Sequence, residues 1–352
     1  MTRTPRSTPP TSPRSGRGAN EPIAPKPYQF IAFPNQPPIK TPPAGHHKFL
    51  SDHLHGTLFL RLTVKTPLHV STGIAVLGSD IGSRVPLIKT MVQGTEKHLI
   101  IQGSSLKGCV RAVYEAITNS TLAVITPRYR DKIPPERLSC RQNDQLCPAS
   151  RVFGALDWQG LIEFSDAKCE QAGFATGFMP SLYRPRPEQR QAYFVRGTVA
   201  GRKFYYHAIR TIDRGQNTGI AVQQAAKEYV FTTKLQVKNL QPSELGTLLI
   251  VLGQDPDYPL ALKIGGGKPI GMGTMTVQIT AADVIQNATD FRQRYTAYHP
   301  PESEHLTDNA LQQFMQQKIQ TAHTGLIQKP QLDALLEVLR YPTDREPPTG
   351  MY

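Results

Sequence analysis

Six patterned segments, in the order strand, helix, two strands, helix and strand, set the strongest limit on how this chain folds. Apolar and polar side chains alternate over residues 57–65, which predicts a half-buried strand. A later run has the spacing of one helix face, at Leu106, Val110, Val113 and Ile117. Further segments predict strands at 160–166 and 229–237, a helix at about 242–252 and a strand at 274–279. This order is the split β-α-β unit of ferredoxin-like folds, so we predict an α+β fold with an antiparallel sheet.

The residues that open the first helix, Gly103-Ser104-Ser105-Leu106-Lys107-Gly108, are suited to bind an anion. We expect Ser104 or Ser105 to act as the N-cap, its hydroxyl accepting from a backbone N–H of the first turn. Free N–H groups, the positive end of the helix and Lys107 together favour a phosphate. The alternative is an ordinary helix start, because the spacing of Walker-type phosphate loops is absent.

Five glycines fall within residues 265–273, which lie between two strand-like runs. Such a loop lets backbone approach a ligand closely and presents N–H groups to it, and we expect Gly265, Gly266 and Gly267 to do so. Lys263 and Lys268 add positive charge on either side. The alternative is a long hairpin turn.

Charge narrows the choice of partner. The 352 residues carry a formal net charge of +13, which indicates a polyanion, either nucleic acid or an anionic membrane. No apolar run is long enough to span a bilayer, and the N-terminus lacks the apolar core of a signal peptide. We therefore expect a cytoplasmic protein that binds nucleic acid rather than a membrane. Four cysteines do not indicate a disulfide scaffold.

Composition divides the chain into four parts. Residues 1–45 are predicted to be a basic, Pro-rich arm, largely disordered, with its aromatic stretch near Tyr28 packed on the folded body. Residues 46–285 form the main domain, 300–341 form C-terminal helices, and 342–352 form a tail that we expect to be disordered. An insertion at about 170–225 interleaves Arg with Tyr and Phe, which suits base stacking and phosphate contact and equally suits a structured insertion with a charged face.

The order of these motifs resembles that of the RAMP superfamily, the repeat-associated proteins of type III CRISPR effector complexes. The resemblance covers most of residues 28–280 and rests on loosely patterned motifs in a specific order. These motifs are residues 66–70, 103–108 with Arg111, 151–154 before 161–166, 201–207, 244–249 and 265–273. The opening at 27–31 is similar to that of a backbone-type subunit of variant, D-like type III systems.

The resemblance implies a ferredoxin-like (RRM-like) RAMP fold with a thumb and insertions. It implies an RNA-binding backbone subunit that holds a guide CRISPR RNA and recognises complementary target RNA in antiviral defence. The implied protein partners are other RAMP subunits and a large polymerase-like subunit. The RNA-binding residues that we carry over are Ser104, Ser105, Lys107, Arg111, Arg202, Lys203, His207, Gly265, Gly266, Gly267 and Lys268.

Backbone subunits of this family often cut the target RNA with an Asp in the loop after the first strand. Asp80 is the acid of that loop, and a carboxylate there could hold Mg²⁺ or position the attacking 2′-hydroxyl. The family's Asp precedes a Ser/Val-Pro-apolar stretch, whereas Arg84 stands at that place in this chain. The two hypotheses are a non-catalytic RNA scaffold and an endoribonuclease that uses Asp80, which is otherwise a turn residue.

Several relatives carry a Cys-x-x-Cys pair before the 151–154 motif. Here Cys147 stands at the first position of that pair and Ser150 at the second, so one cysteine is absent; Cys140 lies nearby in the chain. A closed structural zinc site requires four ligands, so another His or Cys would have to join them. The alternative is a pair of unligated thiols.

Overall fold

The computed structural model describes residues 27–94, 96–182, 191–212, 219–285, 288–296 and 304–348. Its strands are β1 (Tyr28–Ile31), β2 (Leu54–Val64), β3 (Ser71–Leu77), β4 (Leu87–Gln93), β5 (His98–Ile101), β6 (Gly154–Ala155), β7 (Trp158–Gln159), β8 (Ile162–Phe164), β9 (Ala167–Ala172), β10 (Ala175–Pro180), β11 (Phe194–Val195), β12 (Thr198–Val199), β13 (Arg202–Tyr205), β14 (Gly219–Gln224), β15 (Val230–Leu240), β16 (Leu262–Lys263), β17 (Thr274–Ile285) and β18 (Glu304–Leu306). Its helices are α1 (Gly103–Ile117), α2 (Pro148–Phe153), α3 (Pro242–Val251), α4 (Ala288–Thr296), α5 (Asp308–Gly325) and α6 (Lys329–Leu339).

The centre of the main sheet has ferredoxin-like topology. Strand β2 pairs antiparallel with β15 on one side and with β17 on the other, and Leu60 lies opposite both Thr233 and Ile279. Strand β15 then pairs antiparallel with β8 and β9. The helices α1 and α3 connect these strands in the order that the sequence predicts. The predicted α+β fold with an antiparallel sheet is therefore confirmed.

The apolar alternation of β2 places one face of that strand in the core. Leu58, Leu60, Leu62 and Val64 are each at most 3 % exposed. The helix face predicted at residues 106–117 is buried in the same cluster, as α1 packs against β8 and α3. Burial of these apolar faces holds the two layers together, since each side chain removed from water contributes about 1.5–3 kcal/mol.

The C-terminal helices belong to the same core rather than to a separate one. Helix α5 packs along α3, and α6 packs against α1 and β1. One cluster of buried apolar side chains accordingly runs from Ile31 to Leu339. Within the described ranges, no helix is long and apolar enough to cross a bilayer.

Both ends of the chain add to this body where they are described. Strand β1 pairs antiparallel with β13, so the aromatic stretch near Tyr28 packs as expected. The expected disorder of the tail is wrong for residues 342–348, because the Ile209 amide donates to the Arg345 carbonyl at 2.9 Å. The Arg345 guanidinium also lies 3.6 Å from the centre of the Tyr206 ring. Residues 1–26 of the arm and 349–352 of the tail lie outside the described residues.

The predicted insertion extends the sheet at its edge. Strands β10 and β14 pair antiparallel, and β14 runs parallel to β4. Strands β3 and β4 form the hairpin that carries the loop after the first strand. Parts of the insertion at 183–190 and 213–218 lie outside the described residues.

Candidate nucleic-acid interface

The glycine-rich loop between β16 and β17 packs tightly on residues 67–69. The Gly266 amide donates to the His69 carbonyl at 2.8 Å, and the Gly273 amide donates to the Pro67 carbonyl at 2.9 Å. Gly265 has a φ of +77°, and a Cβ placed on it would lie 2.3 Å from the His69 carbonyl oxygen. A side chain at this position would therefore be opposed both by the backbone conformation and by the neighbouring chain.

Three amides of this loop make no hydrogen bond to any described residue; Gly265 and Lys268 are half-buried and Gly267 is buried. Within the described part of the chain, the backbone N–H groups of Gly265, Gly267 and Lys268 have no hydrogen-bond acceptor. Gly267 adopts the left-handed conformation before the short 3₁₀ turn that starts at Lys268, a combination that presents successive N–H groups to an anion. The Lys268 ammonium is half-buried and makes no ion pair with any described residue, so its charge adds to that of the amides.

Lys263 does not add to the charge of this surface, contrary to the expectation that it flanks the loop as Lys268 does. Its side chain is 5 % exposed, and its ammonium donates to the Gly271 carbonyl at 3.1 Å and to Thr274 Oγ1 at 3.2 Å. Burial, with a smaller contribution from Lys268, lowers the pKa of Lys263 to about 7. Lys263 therefore supports the loop from inside the protein, and half-buried Lys268 is the more accessible of the two cations.

A cleft of about 360 Å³ beside the loop is lined by residues from two of the sequence motifs, from the loop after β3 and from the insertion. We call it the glycine-loop cleft, and its lining residues include Pro67, Val85, Phe178, Thr211, Gln224 and Met272. They come from the 66–70 motif, the loop after β3, the insertion and the glycine loop. Half-buried Phe178 lies beside polar side chains in this cleft, and an aromatic ring so placed is a surface on which a base can stack.

The start of α1 differs from its prediction. The N-cap is Gln102, which makes no side-chain capping bond, and Ser104 and Ser105 lie inside the first turn. The Gly103 amide instead donates to Asp166 Oδ1 at 2.8 Å. The predicted serine N-cap is therefore wrong, because a carboxylate that follows β8 already satisfies the positive end of the helix.

Lys107 is also engaged within the protein. Its ammonium donates to the Ile162 carbonyl on β8 at 2.9 Å, and burial lowers its pKa. Nearby Arg111 lowers that pKa further. In this arrangement Lys107 holds α1 to the sheet and does not join Gly103 in an anion site.

Arg111 and Arg202 converge on one buried carboxylate. Glu115 is 1 % exposed in its side chain, Arg111 Nε donates to its Oε1 at 2.7 Å, and Arg202 pairs with its Oε2. Burial, with a smaller contribution from the neighbouring Arg111, lowers the pKa of Arg202 to about 9. The pair joins α1 to β13, so both guanidinium groups serve a contact inside the protein.

Lys203 lies in a cage of tyrosine rings. Its ammonium is 3.9 Å from the centre of Tyr28, 4.7 Å from Tyr205 and 5.2 Å from Tyr193. It also donates to the Tyr193 hydroxyl at 2.7 Å. These cation–π contacts stabilise the pairing of β1 with β13.

His207, which the resemblance placed among the RNA-binding residues, is packed in the core instead. His207 is 1 % exposed, and its two ring nitrogens lie 3.0 Å from Thr274 Oγ1 and 3.1 Å from the Ala261 carbonyl. Burial, reinforced by the charge of Lys263, lowers its pKa to about 3. The neutral ring is a packed core residue that no RNA base can reach.

Asp80 lies at the exposed tip of the β3–β4 hairpin, in the 3₁₀ turn Gly78–Ile81. The Ser79 hydroxyl donates to its Oδ1 at 3.4 Å. No group of three or more His, Cys, Asp or Glu side chains suited to a metal occurs among the described residues. Asp80 is therefore exposed to solvent, and in the described part of the chain it belongs to no such group.

Cys140 and Cys147 do lie together. The Cys147 amide donates to Cys140 Sγ at 3.4 Å, and the Thr121 hydroxyl lies 3.6 Å and 3.2 Å from the two sulfurs. Their shared hydrogen bond lowers the pKa of the Cys140 thiol and, together with burial, raises the pKa of the Cys147 thiol. The described residues provide two zinc ligands here and no third, which does not complete a closed four-ligand site.

Several residues that shape this region are absent from the sequence prediction. Glu115 could have been found from its spacing of four residues after Arg111, the usual spacing of helical ion pairs. Asp166 and the Tyr28 ring carry no comparable signal, because each meets its partner only through the fold.

The family model of the RAMP superfamily matches residues 61–276, which is more than half of the chain. The chain therefore belongs to the RAMP superfamily. Among solved structures, it is similar to a chain of the "Cryo-EM structure of the Type III-B Cmr-beta bound to cognate target RNA", with 15 % identity and a TM-score of 0.36. That match covers 66 % of this chain and 61 % of the other. No curated protein matches the chain.

Proposed function

We propose that this protein is a guide-RNA-binding backbone subunit of a type III CRISPR interference complex, which recognises target RNA in antiviral defence. Membership of the RAMP superfamily and the net charge of +13 support this function. The observation that carries it is the glycine loop, where the amides of Gly265, Gly267 and Lys268 and the Lys268 ammonium have no partner among the described residues. Such a site suits the backbone of an RNA strand without regard to its sequence, as a guide requires.

In this proposal a guide phosphate binds to the loop amides and to Lys268. The adjacent glycine-loop cleft receives a nucleotide of the same strand, with Phe178 available for stacking and Gln224 for hydrogen bonding. Related RAMP subunits along the guide and a large polymerase-like subunit are the proposed protein partners. The protein acts in the cytoplasm, where such a complex meets its RNA.

The first test is affinity purification of the tagged chain from its host, with sequencing of the bound RNA and mass spectrometry of the bound proteins. Mature CRISPR guide RNA together with RAMP subunits is the expected result. Mixed cellular RNA, or no RNA, without such partners would refute the proposal.

The second test changes the cation of the loop. Lys268→Ala is expected to weaken guide binding about tenfold and to reduce the slope of log affinity against log salt by about one, because one phosphate contact is lost. Lys318→Ala is the matched control, since Lys318 is also half-buried but lies on α5. Equal guide binding by both variants would show that the loop does not hold RNA.

A further inference from the structure

A second concave site lies between residues 123–141 and the β6–β7 hairpin. This cavity has a volume of about 440 Å³ and is lined in part by Arg111, Arg130, Ser139, Arg141, Leu156 and Trp158. We call it the arginine cavity. None of its lining residues belongs to the glycine-loop cleft. Its volume lies within the roughly 300–1,000 Å³ that is usual for small-molecule sites.

The arginine cavity carries uncompensated positive charge. Arg130 and Arg141 are exposed and form no ion pair with any described residue. The acid next to Arg130 in the chain, Asp131, pairs with Lys132 at 3.4 Å instead. Guanidinium groups bind phosphate through two parallel hydrogen bonds, so a pair of unpaired arginines at one rim favours a phosphate group.

The base of the cavity does not cancel this charge. Arg111 lies there, and its partner Glu115 is shared with Arg202, so one carboxylate serves two guanidinium groups. The Cys140 sulfur also lines the cavity. Even with that thiol ionised, the charges of the two rim arginines remain.

One wall of the cavity is aromatic and apolar. Trp158 is half-buried on β7, and Leu156, at the tip of the same hairpin, is 68 % exposed. An exposed leucine beside an indole ring offers a flat apolar surface next to the arginines. Bases stack well on such surfaces, and an arginine plane adds to the attraction.

We propose that the arginine cavity binds one nucleotide, with its phosphate on Arg130 and Arg141 and its base against Trp158. Phosphate alone would leave the aromatic wall uncovered, and an uncharged aromatic ligand would leave the arginines unpaired. A free mononucleotide and one nucleotide of an RNA strand share this chemistry. Occupation by a mononucleotide does not depend on the proposed guide RNA at the glycine loop.

The chain provides its own probe, because Trp158 is its single tryptophan. The purified full-length protein is titrated with AMP, with inorganic phosphate and with an eight-nucleotide single-stranded RNA while tryptophan fluorescence is recorded. We expect a saturable change with AMP or with RNA. The double variant Arg130→Ala, Arg141→Ala is expected to weaken that binding by about tenfold or more.

The matched control is Arg128→Ala, Lys132→Ala, which removes two charges from the same segment without touching the cavity lining. It should bind like the wild type, and equal melting temperatures confirm that both variants are folded. A response to AMP identifies a free-nucleotide site, and a response to RNA alone that the cavity variant loses identifies a strand position. No saturable response, or an undiminished response in the cavity variant, would overturn the proposal.

Discussion

Gly265 and Gly266 are neighbours in the glycine loop, yet the structure predicts opposite consequences for an alanine at each position. At Gly265 the φ of +77° is unfavourable for alanine by about 1–2 kcal/mol. The added Cβ would also lie 2.3 Å from the His69 carbonyl oxygen, and relief of such a contact costs about 1–3 kcal/mol. Alanine also restricts the unfolded chain more than glycine does, which offsets about 0.5 kcal/mol of this destabilisation.

Gly265→Ala should therefore lower the free energy of unfolding by about 2–4 kcal/mol. At Gly266 the nearest atom to an added Cβ is His69 Cδ2 at 3.8 Å, which is ordinary contact. Gly266→Ala should change the free energy of unfolding by about 0.5 kcal/mol or less, or stabilise the protein slightly.

Urea unfolding followed by circular dichroism measures both values, and equal m-values confirm that the same surface is exposed in each variant. A difference of less than about 1 kcal/mol between the two variants would refute the reasoning about Gly265. Guide binding by the folded Gly266→Ala variant then reports on the loop as a ligand surface. If guide is lost while stability is kept, that glycine is needed for close approach of RNA rather than for folding.

Three further changes test other contacts. Glu115→Gln should destabilise the protein by about 3 kcal/mol in thermal or urea unfolding, since two largely buried guanidinium groups lose their counter-charge, whereas exposed Glu337→Gln should have little effect. The free energy of unfolding should fall as pH drops from about 6.5 towards 3, because His207 takes up a proton in the unfolded chain but stays neutral in the folded protein. In an acid titration, the free energy of unfolding of His207→Gln should fall less steeply over the same pH range. Asp80→Ala should leave both guide content and target-RNA cleavage by the purified complex unchanged, because among the described residues Asp80 belongs to no group of three or more potential metal ligands.

Each of these expectations has a clear contrary result. Equal stability of Glu115→Gln and Glu337→Gln would show that the buried carboxylate is dispensable. If the stability of the wild type and of His207→Gln depended on pH in the same way, a group other than His207 would cause the loss of stability in acid. Loss of cleavage with retained guide RNA in Asp80→Ala would favour the alternative in which this subunit is a target-RNA endonuclease.

The periodic spacing of apolar residues predicts the positions of the main strands and helices closely. The strand expected at 57–65 is Leu54–Val64, and the helix expected at about 242–252 is Pro242–Val251. Both carry a side-chain period that matches the geometry of the element, with one face apolar. The 148–153 helix was missed, because it is too short to show a helical period.

The candidate site was predicted less completely. The glycine loop and Lys268 lie together as expected, whereas the groups around α1 are bonded within the protein. Nothing in the local sequence distinguishes a half-buried lysine such as Lys268 from a fully buried one such as Lys263. The residue type determines which hydrogen bonds and ion pairs a side chain can make. Its neighbours in the fold determine which of its donors and acceptors are already used.

The sequence by itself determined the order of strands and helices, the net positive charge and the position of the glycine-rich loop, because these depend on local period and composition. The tertiary structure decided which polar groups are available to a ligand. Asp166 meets Gly103, and Arg202 meets Glu115, across long stretches of chain. Such pairs form because buried polar groups, here the Gly103 amide and the Glu115 carboxylate, need hydrogen-bond partners, and the packing of the sheet and helices decides which distant segments supply them.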